Sequence, residues 1–265
     1  MATLLLSAVG TALGGPIGGA IGALIGRQAD AALIGSRKIQ GPRLKEIAVQ
    51  TSSYGSYLPL HFGTVRATGS VIWATELKEH SEKSGGGKGR PAVTSYSYTA
   101  SFADAVSGRP ISGIGRIWAD GNLLRGSGGD LKVGGILRVY TGHGDQAPDP
   151  LLVQAEGVGR SPAYRHLAYV VFEDLALAEF GNRLPSLTFE IFADPAHTTM
   201  QAIIEAASPI VEAPDLANHQ IQGFSMEQGS AADVISVLSD VDPLSCLVIE
   251  ERVRIRPAEA VANMP

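Results

Sequence analysis

Three carboxylates stand inside strand-like runs: Glu173 and Asp174 at the end of one apolar stretch, and Glu190 within another. A pair of such groups flanking a sugar would supply the acid and the base of a glycoside hydrolase. Neighbouring residues on a strand point to opposite faces, so Glu173 and Asp174 do not cooperate easily, and surface carboxylates are the simpler reading. His143, Asp145 and Asp149 fall in one loop-like stretch, HGDQAPDP. They would offer an imidazole and two carboxylates to a cation, but the same residue types also make ordinary Asx-capped turns. Gly85–Arg90 (GGGKGR) has the glycines and the lysine of a phosphate loop. It fails as one, because Lys88 is followed by Gly89 instead of Ser or Thr and no strand-to-helix context surrounds it. The chain contains no G-x-G-x-x-G, no G-x-S-x-G and no H-E-x-x-H, and its six histidines show no ligand spacing. No catalytic residue, cofactor site or metal site is expected. The single cysteine, Cys246, excludes an intrachain disulfide framework and is read as a small buried apolar residue.

The most ordered pattern is conformational. Gly10, Gly14, Gly18, Gly22 and Gly26 recur every fourth residue in a stretch without charge from Ala2 to Ile25. On a helix this lines one face with bare backbone, where another helix can approach closely. Each interior glycine costs roughly 1 kcal/mol relative to Ala, so the pattern implies a partner. The length fits a membrane span of about 20 residues, but Gly and Ala dilute the hydrophobicity and Pro16 would kink the helix. A cleaved signal is disfavoured by the missing basic n-region. These glycines are the candidate site, a helix-packing face, within an N-terminal segment of residues 1–35.

The elements beyond it read as mainly β with minor α. Val93–Ala103 alternates, with Tyr96, Tyr98, Ala100 and Phe102 on one face and small polar residues on the other. Asp120-Gly121 supplies a tight hairpin turn between 114–119 and 122–124. Phe62–Leu77 is expected as a strand or bent hairpin, 130–141 as a strand pair, and His166–Phe172 and Leu187–Phe192 as alternating strands. Glu79–Pro91 reads as a mobile loop. Trp73 and Trp118 are expected in the core. Two helices follow. The first is expected to start from Asp194-Pro195, with Met200, Ile203, Ile204 and Ala207 on one face. The second starts at a Ser230–Asp233 capping box. Leu247–Arg256 closes as a hairpin around Glu250-Glu251. A composition shift near Asp194 divides a β-rich domain, 36–193, from a smaller α+β domain, 194–265.

The chain has 265 residues, 45% of them hydrophobic, and a formal charge of −5. The absence of a basic excess argues against an extended nucleic-acid clamp, which needs clustered Lys and Arg. The acidic balance and the missing site motifs favour a structural protein over an enzyme.

Three blocks then carry a resemblance: IQGPRLKEIAVQTSSYGSYLPLHFGTVRATGSVIWATEL (39–77), YSYTASFADAVSGRPISGIGRIWADGNLLRG (96–126) and YRHLAYVVFEDLALAEFGNRLPSLTFEIF (164–192). Together they resemble the tail-tip hub protein of long-tailed bacteriophages, close to the N-terminal hub region of the large tail protein of alphaproteobacterial gene transfer agents. The resemblance implies a homotrimer of β-barrel-like hub domains at the distal end of the virion tail. Such a hub closes the tail tube and takes part in tail assembly, host attachment and DNA ejection. Its implied partners are further copies of itself, the distal tail and other tail-tip proteins, and the C-terminus of the tape-measure protein, with DNA passing through the lumen unbound. In that family a TIM-barrel-like domain often follows, so the chain is expected to be either a fragment or a hub that ends early. The glycine face would pack three N-terminal helices together, or against the tape-measure end, and residues 1–26 would later meet the host membrane. Two readings compete with the structural one: a cell-wall-degrading entry enzyme, and a membrane-active protein whose N-terminus forms a pore alone.

Overall fold

The computed structural model describes Ala8, residues 39–40, 57–84, 93–227 and 229–258. Gly10, Gly14, Gly18, Gly22 and Gly26, the expected N-terminal helix and the GGGKGR stretch lie outside the described residues. The strands, in chain order, are β1 (Ile39–Gln40), β2 (Leu60–Thr68), β3 (Ser70–Ala74), β4 (Lys78–Ser84), β5 (Val93–Ser107), β6 (Gly113–Ala119), β7 (Asn122–Arg125) and β8 (Ile136–Tyr140). They continue as β9 (Ala168–Ala176), β10 (Leu187–Phe192), β11 (Thr198–Thr199), β12 (Val211–Glu212), β13 (Gln220–Ile221), β14 (Gly223–Met226), β15 (Leu244–Ile249) and β16 (Arg252–Pro257). Three α-helices are seen among the described residues: α1 (Pro150–Glu156), α2 (Met200–Ala207) and α3 (Ala231–Ser239). The fold is mainly β, as the alternation predicts. Its sheets are open, and none closes into a barrel among the described residues. None of the described helices is long and apolar enough to cross a membrane.

Two compact units are distinguished: residues 1–46 with 79–98, and residues 47–78 with 99–265. In the first, β1 runs parallel to the start of β5, with Ile39 opposite Val93, and β4 pairs with β5. The segment 79–84, expected as loop, is therefore strand. Its polar residues are all exposed, so the period-two signal had nothing apolar to register.

The second unit holds one antiparallel sheet, β3-β5-β9-β8, and a five-stranded sheet, β14-β2-β10-β6-β7. Phe62–Leu77 thus splits between two sheets: β2 pairs with β10 and β14, whereas β3 pairs with β5. On one face of β5 and β9, Ala103, Tyr169 and Val171 pack with Leu152 of α1. A second core gathers Phe62 of β2, Met200, Ile203 and Ile204 of α2, Val234 and Leu238 of α3, and Ile255 of β16. The Asp120-Gly121 hairpin forms as expected, with φ of 49° and 84° at the two turn residues. The Ser230–Asp233 capping box is present in both directions. Gly63 and Gly223 oppose each other in the β2–β14 ladder, where a Cβ on Gly63 would strike the Gln222 carbonyl and one on Gly223 the Thr64 carbonyl.

Other expectations are corrected. Only β8 forms within 130–141, beside an isolated bridge from Leu131 to Arg125. The loop 143–150 ends in an unanticipated helix, α1, begun by Asp149 with Pro150 behind it. Helix α2 starts from Thr199, five residues after the expected cap. Cys246 is exposed, because β15 lies at the end of the β12-β16-β15 sheet.

Candidate functional site

The carboxylates considered as chemistry from sequence are brought into separate ion pairs. Glu173 accepts from Arg138 Nη1 at 2.6 Å, Asp174 pairs with Lys78 Nζ at 2.7 Å, and Glu190 is gripped by Arg116. No group of three metal-ligating side chains occurs among the described residues. Asp149, offered as a cation ligand, caps α1: its Oδ1 accepts the Leu151 amide at 2.7 Å. It also takes Arg138 Nε at 2.6 Å and the Tyr140 hydroxyl at 2.7 Å on Oδ2. Burial alone would push the Asp149 carboxyl up, but Arg138, Tyr140 and the Leu151 amide together hold it below the ordinary range. Burial, then the Asp149 bond, push the Tyr140 phenol up to about 12.

Two buried groups escape the sequence reading. Asp104 lies in the apolar run of β5, 3% exposed, with Oδ1 unpartnered, and burial pushes its carboxyl up to about 7. The nearby strand β2 buries His61, whose Nδ1 lies 2.9 Å from Ser225 Oγ. A hydroxyl beside an imidazole has the parts of an activated nucleophile. Burial lowers the His61 pKa to about 4, however, and Nε2 has no partner, which makes a weak and unoriented base. The signal for both was a lone polar residue in an otherwise buried face, which periodicity alone reads as noise.

The side chains that face outward together lie on the five-stranded sheet. Alternation along β10 buries Leu187, Phe189 and Ile191 and turns Thr188, Glu190 and Phe192 out. Register places Arg66 opposite Glu190 on one side and Trp118 opposite Thr188 on the other. The Arg66 guanidinium stacks 3.8 Å from the Trp118 ring and donates to Thr188 Oγ1 at 3.2 and 3.3 Å. Arg116 lies 5.4 Å from the same ring and binds Glu190 with Nε at 3.0 Å and Nη2 at 2.6 Å. Arg116 draws the Glu190 carboxyl below its ordinary range, chiefly by hydrogen bonding. Trp118, expected in the core, is thus half-exposed as a platform for two cations. Two shallow depressions of about 330 Å³ each share Thr64 as a lining residue. One is walled by Arg66, Arg116, Trp118 and Glu190, the other by Phe192, Asp194 and His197. Both depressions are open to solvent, so this face suits contact with a protein surface more than enclosure of a small ligand.

Taken together, the described residues define a β-rich protein of open sheets, with Arg66, Arg116, Trp118 and Glu190 gathered on the outward side of the five-stranded one. No family model matches the chain, nor does any curated protein. Among solved structures it is similar to a chain of the virion of a native gene transfer agent particle, with 25% identity and a TM-score of 0.61. The match covers 94% of this chain and 64% of that one, so the chain spans less than two thirds of its neighbour's length. This likeness supports a structural component of a phage-like particle.

Proposed function

We propose that the chain is a tail-tip component of a bacteriophage or phage-like particle: the hub that closes the tail tube and takes part in tail assembly, host attachment and DNA ejection. The observation that carries the reading is the fold likeness to a virion chain over 94% of the sequence. The three sequence blocks quoted above support its finer part, the position at the distal end of the tail. The open sheets agree with it, because strands left unpaired in one copy can complete walls between copies of a ring. Homotrimer formation, contact with the tape-measure end and a structural instead of a catalytic role belong to the same proposal. Antibody against this chain, applied to purified particles and imaged in negative stain, tests it. Label at the distal tail end is the expected result; label on the head or along the tube, or none on intact particles, overturns the hub reading.

A further inference from the structure

Among the described residues strand β15 is an open edge. It pairs there only with β16, antiparallel and without a bulge, from Leu244 opposite Pro257 to Ile249 opposite Arg252. The Pro243 carbonyl accepts from the Ala258 amide at 2.7 Å, which fixes which residues face the ladder. Backbone groups alternate sides along a strand, so 245, 247 and 249 bond to β16. Leu244, Cys246 and Val248 turn their N–H and C=O groups outward. Pro257, which has no N–H, sits opposite Leu244 at a position where no ladder bond is made.

The strand LSCLVI carries none of the devices that blunt an edge: no charge, no proline and no bulge. Its last four side chains, Cys246 to Ile249, are exposed, Val248 at 77%, Ile249 at 48% and Leu247 at 38%, whereas Leu244 and Ser245 are half-buried. Both ends are acidic. Asp240 and Asp242 precede the strand, and Glu250 and Glu251 form its closing turn. Asp240, Glu250 and Glu251 are exposed and form no ion pair among the described residues, while Asp242 lies 2.6 Å from His219 Nδ1. Asp240 also occupies the C-cap of α3, where the helix dipole favours a cation. A second copy of β15 is a poor occupant. Antiparallel pairing would bring Glu250 and Glu251 beside Asp242 and Asp240 at both ends, and parallel pairing would set like beside like.

We propose that β15 is a strand-addition site for an extended, uncharged segment of a partner protein with Lys or Arg flanking it at both ends. Main-chain bonds to Leu244, Cys246 and Val248 supply the attachment, and the acidic ends set partner and register. The inference stands apart from the tail-tip reading; under that reading the segment belongs to a neighbouring particle protein.

The test uses the full chain and two fluorescent peptides, Lys-Lys-Thr-Val-Thr-Val-Thr-Lys-Lys and its Glu-flanked counterpart, read by anisotropy. The Lys-flanked peptide is expected to bind at least about tenfold tighter, with the difference shrinking as salt is raised. Val248→Pro removes an outward N–H without touching the β16 ladder; it should abolish binding while circular dichroism and the urea midpoint are retained. A second variant, Glu250→Gln with Glu251→Gln, keeps the backbone edge and should erase the preference between peptides. Equal binding of both peptides, no binding of either, or binding indifferent to Val248→Pro overturns the proposal. So does oxidative dimerisation through Cys246 that is lost in Val248→Pro, which would make a second copy the occupant.

Discussion

Asp194 and Arg109 form a two-point ion pair, with Nη2 to Oδ1 at 2.8 Å and Nη1 to Oδ2 at 3.3 Å. The same carboxylate accepts the Gly63 amide at 2.7 Å, and Arg109 donates on to the His61 carbonyl at 2.8 Å and covers the Phe62 ring at 4.5 Å. One carboxylate therefore ties the turn after β10 to the middle of β2, at the place where Gly63 needs φ of 63°. Asp194→Ala leaves the Gly63 amide without its acceptor and the half-buried Arg109 guanidinium without its counter-charge. The expected loss is about 2–3 kcal/mol in urea unfolding, and Asp194→Asn, which keeps the amide bond but not the charge, should lose less.

Arg138→Met is expected to be more damaging. Asp149 has a fully buried side chain, and Arg138 is its only cationic partner among the described residues. Removing the guanidinium strands that carboxylate beside the Tyr140 hydroxyl, at a cost of about 3–5 kcal/mol. The sign with pH follows from the lowered Asp149 pKa. The wild-type contribution is present above the unfolded carboxylate value of about 4 and is lost as pH falls through the lower folded one. Unfolding at pH 7 and pH 3 should therefore show the two proteins converging in acid.

Asp104 and His61 bias stability in opposite directions. The folded carboxyl titrates at about 7, so its contribution is full below the unfolded value of 3.8 and declines as pH rises toward 7. The folded imidazole titrates at about 4, so its contribution is full above 6.5 and declines as pH falls toward 4. Between these limits one group gives and the other takes about 1.4 kcal/mol per pH unit, and the wild type should be nearly flat. Asp104→Asn should expose the histidine slope, with stability rising from pH 4.5 to 6.5. His61→Gln should expose the reverse slope. Parallel flat profiles for both variants would refute the assignment.

Sequence periodicity captures elements in which a polar and an apolar face alternate. β10, the Asp120-Gly121 hairpin, the α3 capping box and the buried face of α2 are all legible for that reason. It fails where an element is one-sided. β4 is polar throughout, and α1 has only Leu152 buried, so neither shows a period. Asp194-Pro195 has the local chemistry of a helix start, yet no helix begins there. The long-range pull of Arg109 and the Gly63 amide on the Asp194 oxygens outweighs that preference. The outward face depends on cross-strand register. Arg66, Trp118 and Glu190 are far apart in the chain, and only the β2-β10-β6 order brings them together.

Gly10, Gly14, Gly18, Gly22 and Gly26 lie outside the described residues. Under the proposed hub role their four-residue spacing serves as a helix-packing face. A leucine on a face of bare backbone forces packed helices apart by several ångströms, because close approach there depends on the missing side chains. Gly14→Leu, Gly18→Leu and Gly22→Leu combined would raise the helix propensity of the isolated segment, since each glycine removed relieves roughly 1 kcal/mol. Loss of function in that variant would then reflect lost packing and not a lost helix. Particles carrying it are expected to assemble tails but to leak DNA or fail to infect, measured by nuclease sensitivity of the packaged DNA and by transfer frequency. A triple-alanine control, which keeps the face small, should retain most function. Normal infection by the leucine variant would remove the close-packing role from these residues.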